Sequence, residues 1–292
     1  FAQLSHPGRE MTLAADGTHP VAYAPSAVPN ERFHVMPREM PLLLIKEIIE
    51  GFAVSATHLH KAGLDGVELV ASHGYLLGQF LNPNINRRSD AYGGSRAGRM
   101  RFLQEAIAAT RRGAGEDMVL GVRLSGDEKD HGGTELDEML EVCAALDANP
   151  ALDYLNITAG TSAGLAGSTH IVPPMAYEAA YTVPIAAAVK ERVAKPVFVA
   201  GRINQPQTAA AVLQSGQADM CGMTRALISD PQMPAKASRG AFDDIRACVA
   251  CNQACIGHML NACAISCIQR PETGRELEFG NLAQTMSPKR VI

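Results

Sequence analysis

The chain has no stretch of 18 consecutive apolar residues, no block of basic residues, no long low-complexity segment and no simple internal repeat. The first absence leaves no candidate for a membrane-spanning helix. The second, with 26 Lys and Arg against 30 Asp and Glu for a net charge of −4, argues against a nucleic-acid or anionic-membrane surface. Charged residues make up 19% and apolar residues 47%, a globular balance rather than that of a disordered chain. The first residue is not Met, and the opening residues read neither as a signal peptide nor as a domain boundary. The chain opens on Phe1-Ala2-Gln3-Leu4-Ser5-His6 and closes on Ser287-Pro288-Lys289-Arg290-Val291-Ile292, where an apolar strand begins. We read it as an interior piece of a longer protein, its 292 residues sufficient for one large domain or two small ones.

Cysteine is plentiful but oddly placed. Of seven, Cys143 and Cys221 stand apart, and Cys248, Cys251, Cys255, Cys263 and Cys267 fall within 20 residues. A disulfide framework belongs to small secreted chains and pairs an even number. The cluster therefore reads as metal ligation in a reducing, cytoplasmic compartment. The run Cys248-x2-Cys251-x3-Cys255-x11-Cys267 offers four thiolates, one for each iron of a [4Fe–4S] cluster. Tetrahedral zinc is the rival. Zinc ribbons usually pair two CxxC knuckles and this run has one, so the cluster is preferred. Unligated core cysteines are the third possibility. Cys263 falls outside the spacing, and Cys143 and Cys221 read as packing.

Short apolar runs alternate with helical stretches. Strands are expected at Ala2–Leu4, Gly66–Val70, Val119–Leu124, Leu152–Ile157, Val197–Ala200 and Ala218–Cys221. Helices are expected at about Met40–Ala62, Ser95–Gly113, Thr134–Leu146, Glu178–Arg192, Gln205–Gln214 and Arg225–Ser229. The strands are apolar throughout, as when both faces of a parallel sheet are covered. Asn204-Gln205-Pro206 places a cap candidate before a helix with Pro in its first turn. Gly and polar residues follow the strand ends, where a (β/α)8 barrel carries its chemistry. A barrel needs eight units and six are legible, so the first two βα units are expected to be absent from this chain. Residues 1–240 are expected to form the barrel domain, 241–271 a Cys-rich module and 272–292 a linker.

Three loops are distinctive. One runs His73-Gly74-Tyr75-Leu76-Leu77-Gly78-Gln79-Phe80-Leu81-Asn82-Pro83 and continues through Asn86-Arg87-Arg88-Ser89-Asp90-Ala91-Tyr92-Gly93-Gly94-Ser95. The others, Gly201-Arg202 and Gly222-Met223-Thr224-Arg225, follow the last two strands, the usual phosphate position in a barrel. With the cysteine spacing, these runs resemble the Old Yellow Enzyme family of flavin-dependent barrels. The resemblance is to its iron–sulfur branch, which holds 2,4-dienoyl-CoA reductase, trimethylamine dehydrogenase and related enoate reductases and demethylases. It covers nearly the whole chain from Gln3 to the cysteine run.

That resemblance implies a set of roles. Gln3 would hydrogen-bond the flavin pyrimidine edge, an amide both donating and accepting; otherwise it is a polar residue at a strand end. Arg123, in an otherwise apolar strand, would approach the flavin N1–C2 edge; a structural ion pair is the alternative, since a buried charge needs a partner. Gly201, Arg202, Gly222, Thr224 and Arg225 would hold the FMN phosphate, or the arginines are simply solvated. Tyr75 would be the proton donor, provided that a neighbour stabilises its phenolate; the alternative is an aromatic with a satisfied hydroxyl. His73 would contact substrate, although its expected partner position is Val70, whose side chain forms no hydrogen bond. His170, in the loop Gly167–Pro174, would be a second active-site His. Asn82, Arg87, Arg88, Asp90 and Gly93-Gly94 would build turns and a buried charge network.

The implied cofactors are FMN and the [4Fe–4S] cluster on Cys248, Cys251, Cys255 and Cys267, with FAD and NAD(P)H on a further domain that the tail Pro288–Ile292 enters. Electrons would run from NAD(P)H through FAD and the cluster to FMN and then to a small-molecule substrate, an activated C=C bond of the 2,4-dienoyl-CoA or 2-enoate type. Oxidative removal of an amine or N-methyl group is the second expectation within the family. A zinc-stapled, non-catalytic barrel is the alternative from another class.

Overall fold

The apolar runs form strands where the sequence places them. In the computed structural model, residues 1–11, 18, 20–280 and 285–290 are described. The strands are β1 (Ala2–Leu4), β2 (Tyr23–Ala24), β3 (Arg38–Glu39), β4 (Gly66–Ala71), β5 (Val119–Ser125), β6 (Tyr154–Thr158), β7 (Val197–Ala200) and β8 (Met220–Gly222). Six make one sheet in the order β1-β4-β5-β6-β7-β8, every neighbouring pair parallel. The short pair β2 and β3 lies apart. The principal helices are α1 (Leu42–Lys61), α2 (Leu76–Leu81), α3 (Arg96–Ala114), α4 (Leu136–Asp147), α5 (Leu165–Ile171), α6 (Val183–Lys190), α7 (Pro206–Gln214), α8 (Thr224–Ser229) and α9 (Met233–Ser238). This is an α/β fold with a sequential parallel sheet, consistent with the construction of a (β/α)8 barrel. Among the described residues β1 and β8 are edges, each paired on one side only.

Side chains alternate across each strand, so register sorts them into two faces. Val67, Leu69, Leu120, Val122, Leu124, Leu155, Ile157, Val197 and Val199 share the helix-covered face and are wholly buried. They form the core with apolar positions of α1, α3, α4 and α6. The helices α1 and α3 pack closely because Gly113 has no side chain; a Cβ there would run into the Ala53 carbonyl. The other face carries Gln3, Glu68, Arg123, Tyr154, Asn156 and Phe198 in register. Its polar groups are the ones available to a ligand.

Several boundaries moved for local reasons. The last strand runs Met220–Gly222 rather than Ala218–Cys221, and the helix expected at Glu178–Arg192 is only Val183–Lys190. That helix starts late because the Thr182 hydroxyl donates to the Ala200 carbonyl at 3.0 Å, pinning the chain to β7. The helix α7 does begin at Pro206, but neither Asn204 nor Gln205 caps it by side chain. Asn204 instead donates to the Cys248 carbonyl at 2.7 Å. The short helices α2, α5 and α9 were not legible in the sequence pattern. Arg88 is 6% exposed, pairs with Asp90 through two nitrogens and donates to the carbonyls of Pro25 and Met40. Among the described residues no helix is long and apolar enough to cross a membrane. Of the expected tail strand, Val291 and Ile292 lie outside the described residues.

Candidate active site

The loops after β4, β7 and β8 and the segment after β6 meet, with Arg123 of β5, around a cavity of about 350 Å³. Its wall includes six of the seven residues expected to hold flavin: Arg123, Gly201, Arg202, Gly222, Thr224 and Arg225. The seventh, Gln3, stands on the exposed inner face outside that wall, donating to Glu68 Oε1 at 2.5 Å. Two of the loops are held tightly. A Cβ on Gly201 would collide with Thr182, and one on Gly222 would lie 3.0 Å from the Ala200 Cβ. Arg202 is held in the left-handed region at φ +53°, a conformation that costs a non-glycine residue about 1 kcal/mol or more and marks sites where geometry is imposed.

The cavity is electropositive. Arg123, Arg202 and Arg225 line it, and burial lowers the pKa of both Arg123 and Arg225, the expected sign for cations taken out of water. The buried Nε atoms of Arg123 and Arg202 and the Nδ1 of His73 have no hydrogen-bond partner. Buried polar atoms are normally paired, so three convergent orphans in one cavity fit a bound group that supplies acceptors. An anionic cofactor such as FMN has that chemistry. The helix α8 has only six residues, so the positive field comes from the guanidiniums more than from a helix dipole.

Beneath Arg123 lies a polar layer centred on Glu68. Glu68 is 4% exposed and accepts from Gln3, from Tyr154 Oη at 3.0 Å and from Asn156 Nδ2 at 2.9 Å. Its carboxylate is thereby satisfied without a direct bond to Arg123, whose charge it nevertheless steadies.

A second chamber of about 440 Å³ adjoins the first, sharing His73, Ile171, Val172, Ile256 and Met259 as common wall. Tyr75 lines this chamber alone, with Glu10, Arg32, Phe33 and Ser162. The rings of His73 and Tyr75 meet edge-on, 6.3 Å between centroids. Arg123 is near enough to Tyr75 for their charges to interact. His73 sits at φ +61°, its N–H donating to Ser125 Oγ at 2.9 Å. Burial, with Arg123 nearby, pushes the His73 pKa down to about 3, so the imidazole is neutral across the working range of most enzymes. His170 is elsewhere. It stacks on Tyr181, contacts Tyr177 and is 2.7 Å from Tyr181 Oη, bordering a separate pocket with Asp127 and Lys129. The structure brings Tyr75, His73 and Arg123 together and leaves His170 outside.

Glu10, Arg32, Phe33 and Ser162 were missed by sequence reasoning. The one available signal was the continuation of Gln3-Leu4-Ser5-His6-Pro7-Gly8 into Arg9-Glu10, which says nothing of where the Glu10 carboxyl points.

The cysteine-rich segment docks on the same loops. Asn252 accepts from Arg225 at 2.7 Å and donates to the Val172 carbonyl at 2.7 Å. Cys248, Cys251, Cys255 and Cys267 all line one small enclosed cavity of about 20 Å³. Cys263 is exposed and outside it. The segment folds back through left-handed residues at Ala250 and Asn252 and a π-helical turn, Gln253–Gly257, that carries Cys255. The Ala250 N–H donates to Cys248 Sγ at 3.3 Å. Among the described residues no three or more His, Cys, Asp or Glu side chains form a set that would hold a single metal ion.

Comparison with known proteins agrees with this geometry. The chain is 38% identical over its whole length to the metal reductase of Desulforamulus reducens, covering 42% of that protein. It is 36% identical, again over its whole length, to the NADH oxidase of Thermoanaerobacter brockii, covering 44% of it. A solved 2-naphthoyl-CoA reductase bound to 2-naphthoyl-CoA superposes with a TM-score of 0.85 and 28% identity, over 94% of this chain and 43% of that one. The chain thus spans less than half the length of these relatives. The sequence profile described as the NADH:flavin oxidoreductase / NADH oxidase family matches residues 1–244. With that match over most of its length, the chain belongs to the NADH:flavin oxidoreductase / NADH oxidase family.

Proposed function

We propose that residues 1–240 bind FMN and reduce an activated C=C bond of the 2,4-dienoyl-CoA or 2-enoate type, that residues 241–271 hold a [4Fe–4S] cluster, and that residues 272–292 lead to a domain carrying FAD and NAD(P)H. The observation that carries the reading is the pair of adjoining cavities. One is ringed by three guanidiniums and orphan donors suited to an anionic cofactor; the other presents Tyr75. The 2-naphthoyl-CoA reductase relative supports an unsaturated thioester as substrate.

FMN, when bound, supplies hydride to the β-carbon of the alkene. Arg123, Arg202 and Arg225 would hold the cofactor's negative charge, with Gly201, Gly222 and Thr224 letting the backbone approach. Gln3 needs no rearrangement to present its amide oxygen, since its nitrogen is engaged by Glu68. Tyr75 holds the proton at Oη and donates it to the α-side or the far end of a diene. Arg123 is a cation near enough to interact with Tyr75. Neutral His73 offers one N–H on the wall between the chambers, suited to a substrate carbonyl. His170 itself lines neither chamber, but Ser168, Thr169, Ile171 and Val172 around it line the second, so an active-site role for it would be exercised from that loop.

Four thiols lining one enclosed space, at a spacing with one CxxC and not the paired knuckles of a zinc ribbon, support a cluster, which takes one thiolate per iron. The test is flavin and iron content, with an absorption spectrum, on anaerobically purified full-length protein, followed by anaerobic NAD(P)H-dependent reduction of a 2-enoate and a 2,4-dienoyl-CoA. FMN, FAD and about four irons per chain with substrate turnover are expected. A colourless zinc protein without flavin would overturn the reading.

A further inference from the structure

Glu10 is a buried carboxyl that the reaction as described above does not use. It is 8% exposed and lines the Tyr75 chamber. It lies directly under the loop that carries Tyr75: a side chain at Gly74 would sit 3.2 Å from Glu10 Oε1. Asn30 Nδ2 donates to Oε1 at 2.8 Å. Ser162 Oγ is 2.7 Å from Oε2 and equally 2.7 Å from the His73 carbonyl. Ser162 has one hydroxyl proton and cannot donate to both acceptors at once. If it donates to His73, the donor left among the described residues for the short contact to Oε2 is a proton on Glu10 itself.

We propose that Glu10 is a neutral carboxylic acid that positions the His73–Gly74–Tyr75 loop through Ser162, and that its ionisation loosens the seat of Tyr75. When Glu10 loses its proton, Oε2 takes the Ser162 hydrogen and the His73 carbonyl loses that bond. Among the described residues the His73 carbonyl then keeps the Ser162 N–H bond at 2.9 Å, and the loop stays anchored by the His73 N–H to Ser125 Oγ and by Gln79 Nε2 to the Gly74 carbonyl at 2.7 Å. The charges facing Glu10 are Arg9, Arg32 and Glu128, together with Tyr75 and the neutral His73 across the chamber. The Arg9 guanidinium is committed to the carbonyls of Val28 and Pro29. Burial outweighs the Ser162 hydrogen bond and the two arginines and pushes the Glu10 pKa up to about 7. The sign follows: a raised carboxyl is neutral below that pH and ionises as pH rises through it.

The proposal rests on Tyr75 being the proton donor in alkene reduction, and its test separates the two. With full-length holoenzyme, kcat/KM for an enoate should fall about three- to tenfold between pH 6 and pH 8.5 and then level off, the effect of one lost hydrogen bond. In Glu10→Gln the side-chain carbonyl accepts from Asn30 and the amide donates to Ser162 at every pH, so that step should vanish. Infrared difference spectra should show a protonated-carboxyl band that titrates over the same range in the wild type and is missing in the variant. The same step persisting in Glu10→Gln would overturn the proposal. So would the lack of a titrating carboxyl band in the wild type, a measurement that stands even where the variant fails to fold. Absence of alkene reduction at every pH would instead overturn the assigned reaction, leaving the infrared titration to judge Glu10.

Discussion

Replacing Arg123 by Met separates a flavin-binding arginine from a structural ion pair. The guanidinium sits on the inner face of β5 with a buried Nε that has no partner. Its nearest opposite charge, Glu68, already accepts from Gln3, Tyr154 and Asn156. Removing Arg123 therefore leaves no unsatisfied carboxylate, and Met fills much of the volume. Replacing a poorly paired buried cation by an apolar side chain is close to neutral, so apoprotein stability should change by no more than about 1 kcal/mol. The loss should appear on ligand binding. A charge-assisted hydrogen bond to an anionic flavin is worth about 1.5–3 kcal/mol, or about 10- to 150-fold in Kd. The assay is an FMN titration of full-length apoprotein by flavin fluorescence, with thermal melts with and without FMN. The FMN-induced rise in Tm should shrink by about 3–12 °C at fixed excess ligand, while the apoprotein melt barely moves. A variant with unchanged Kd, whose apoprotein melts as much earlier as its flavin complex, would refute this and make Arg123 the structural partner of Glu68.

Other substitutions probe the remaining parts of the reading. Tyr75→Phe should lower kcat for alkene reduction by about 10²- to 10⁴-fold, the usual worth of a general acid, with FMN content unchanged; undiminished turnover in a steady-state assay would remove Tyr75 from that role. Cys251→Ser should lose cluster iron by elemental analysis and Cys263→Ser should keep it, since only the first lines the shared cavity; equal loss in both would break the ligand assignment. Gly121→Ala should destabilise by about 1–3 kcal/mol, because its Cβ would enter the Tyr154 ring, which is stacked on Phe198 at 4.2 Å; a melt unchanged from wild type would show that the ring pair can shift.

The strands were legible because each is an apolar run bounded by breakers. Ala2–Leu4 and Val197–Ala200 fall where expected, and Gly66–Ala71 and Val119–Ser125 differ by one residue at the end. The long helices were legible from their period, and α3 gained its expected start from Ser95, whose side chain accepts from the Gly98 N–H. The helices α2 and α5, of six and seven residues, hold too few turns for periodicity to register. The same limit hid the two-residue pair β2 and β3.

What the sequence determined by itself was the order of βα units, the loops that carry Tyr75 and the Gly-Arg pairs, and the four-cysteine spacing. Each is a local pattern, set by propensity and by spacing along the chain. Only tertiary structure decided which of those groups share a cavity. Arg123 faces the arginine-lined cavity because of register and strand alternation, and His170 lies against Tyr181 beside a separate pocket. Glu10 meets Ser162 across 152 residues of sequence. Contacts of that range are set by how the sheet brings distant loop ends together, and neither composition nor periodicity encodes them at the positions themselves.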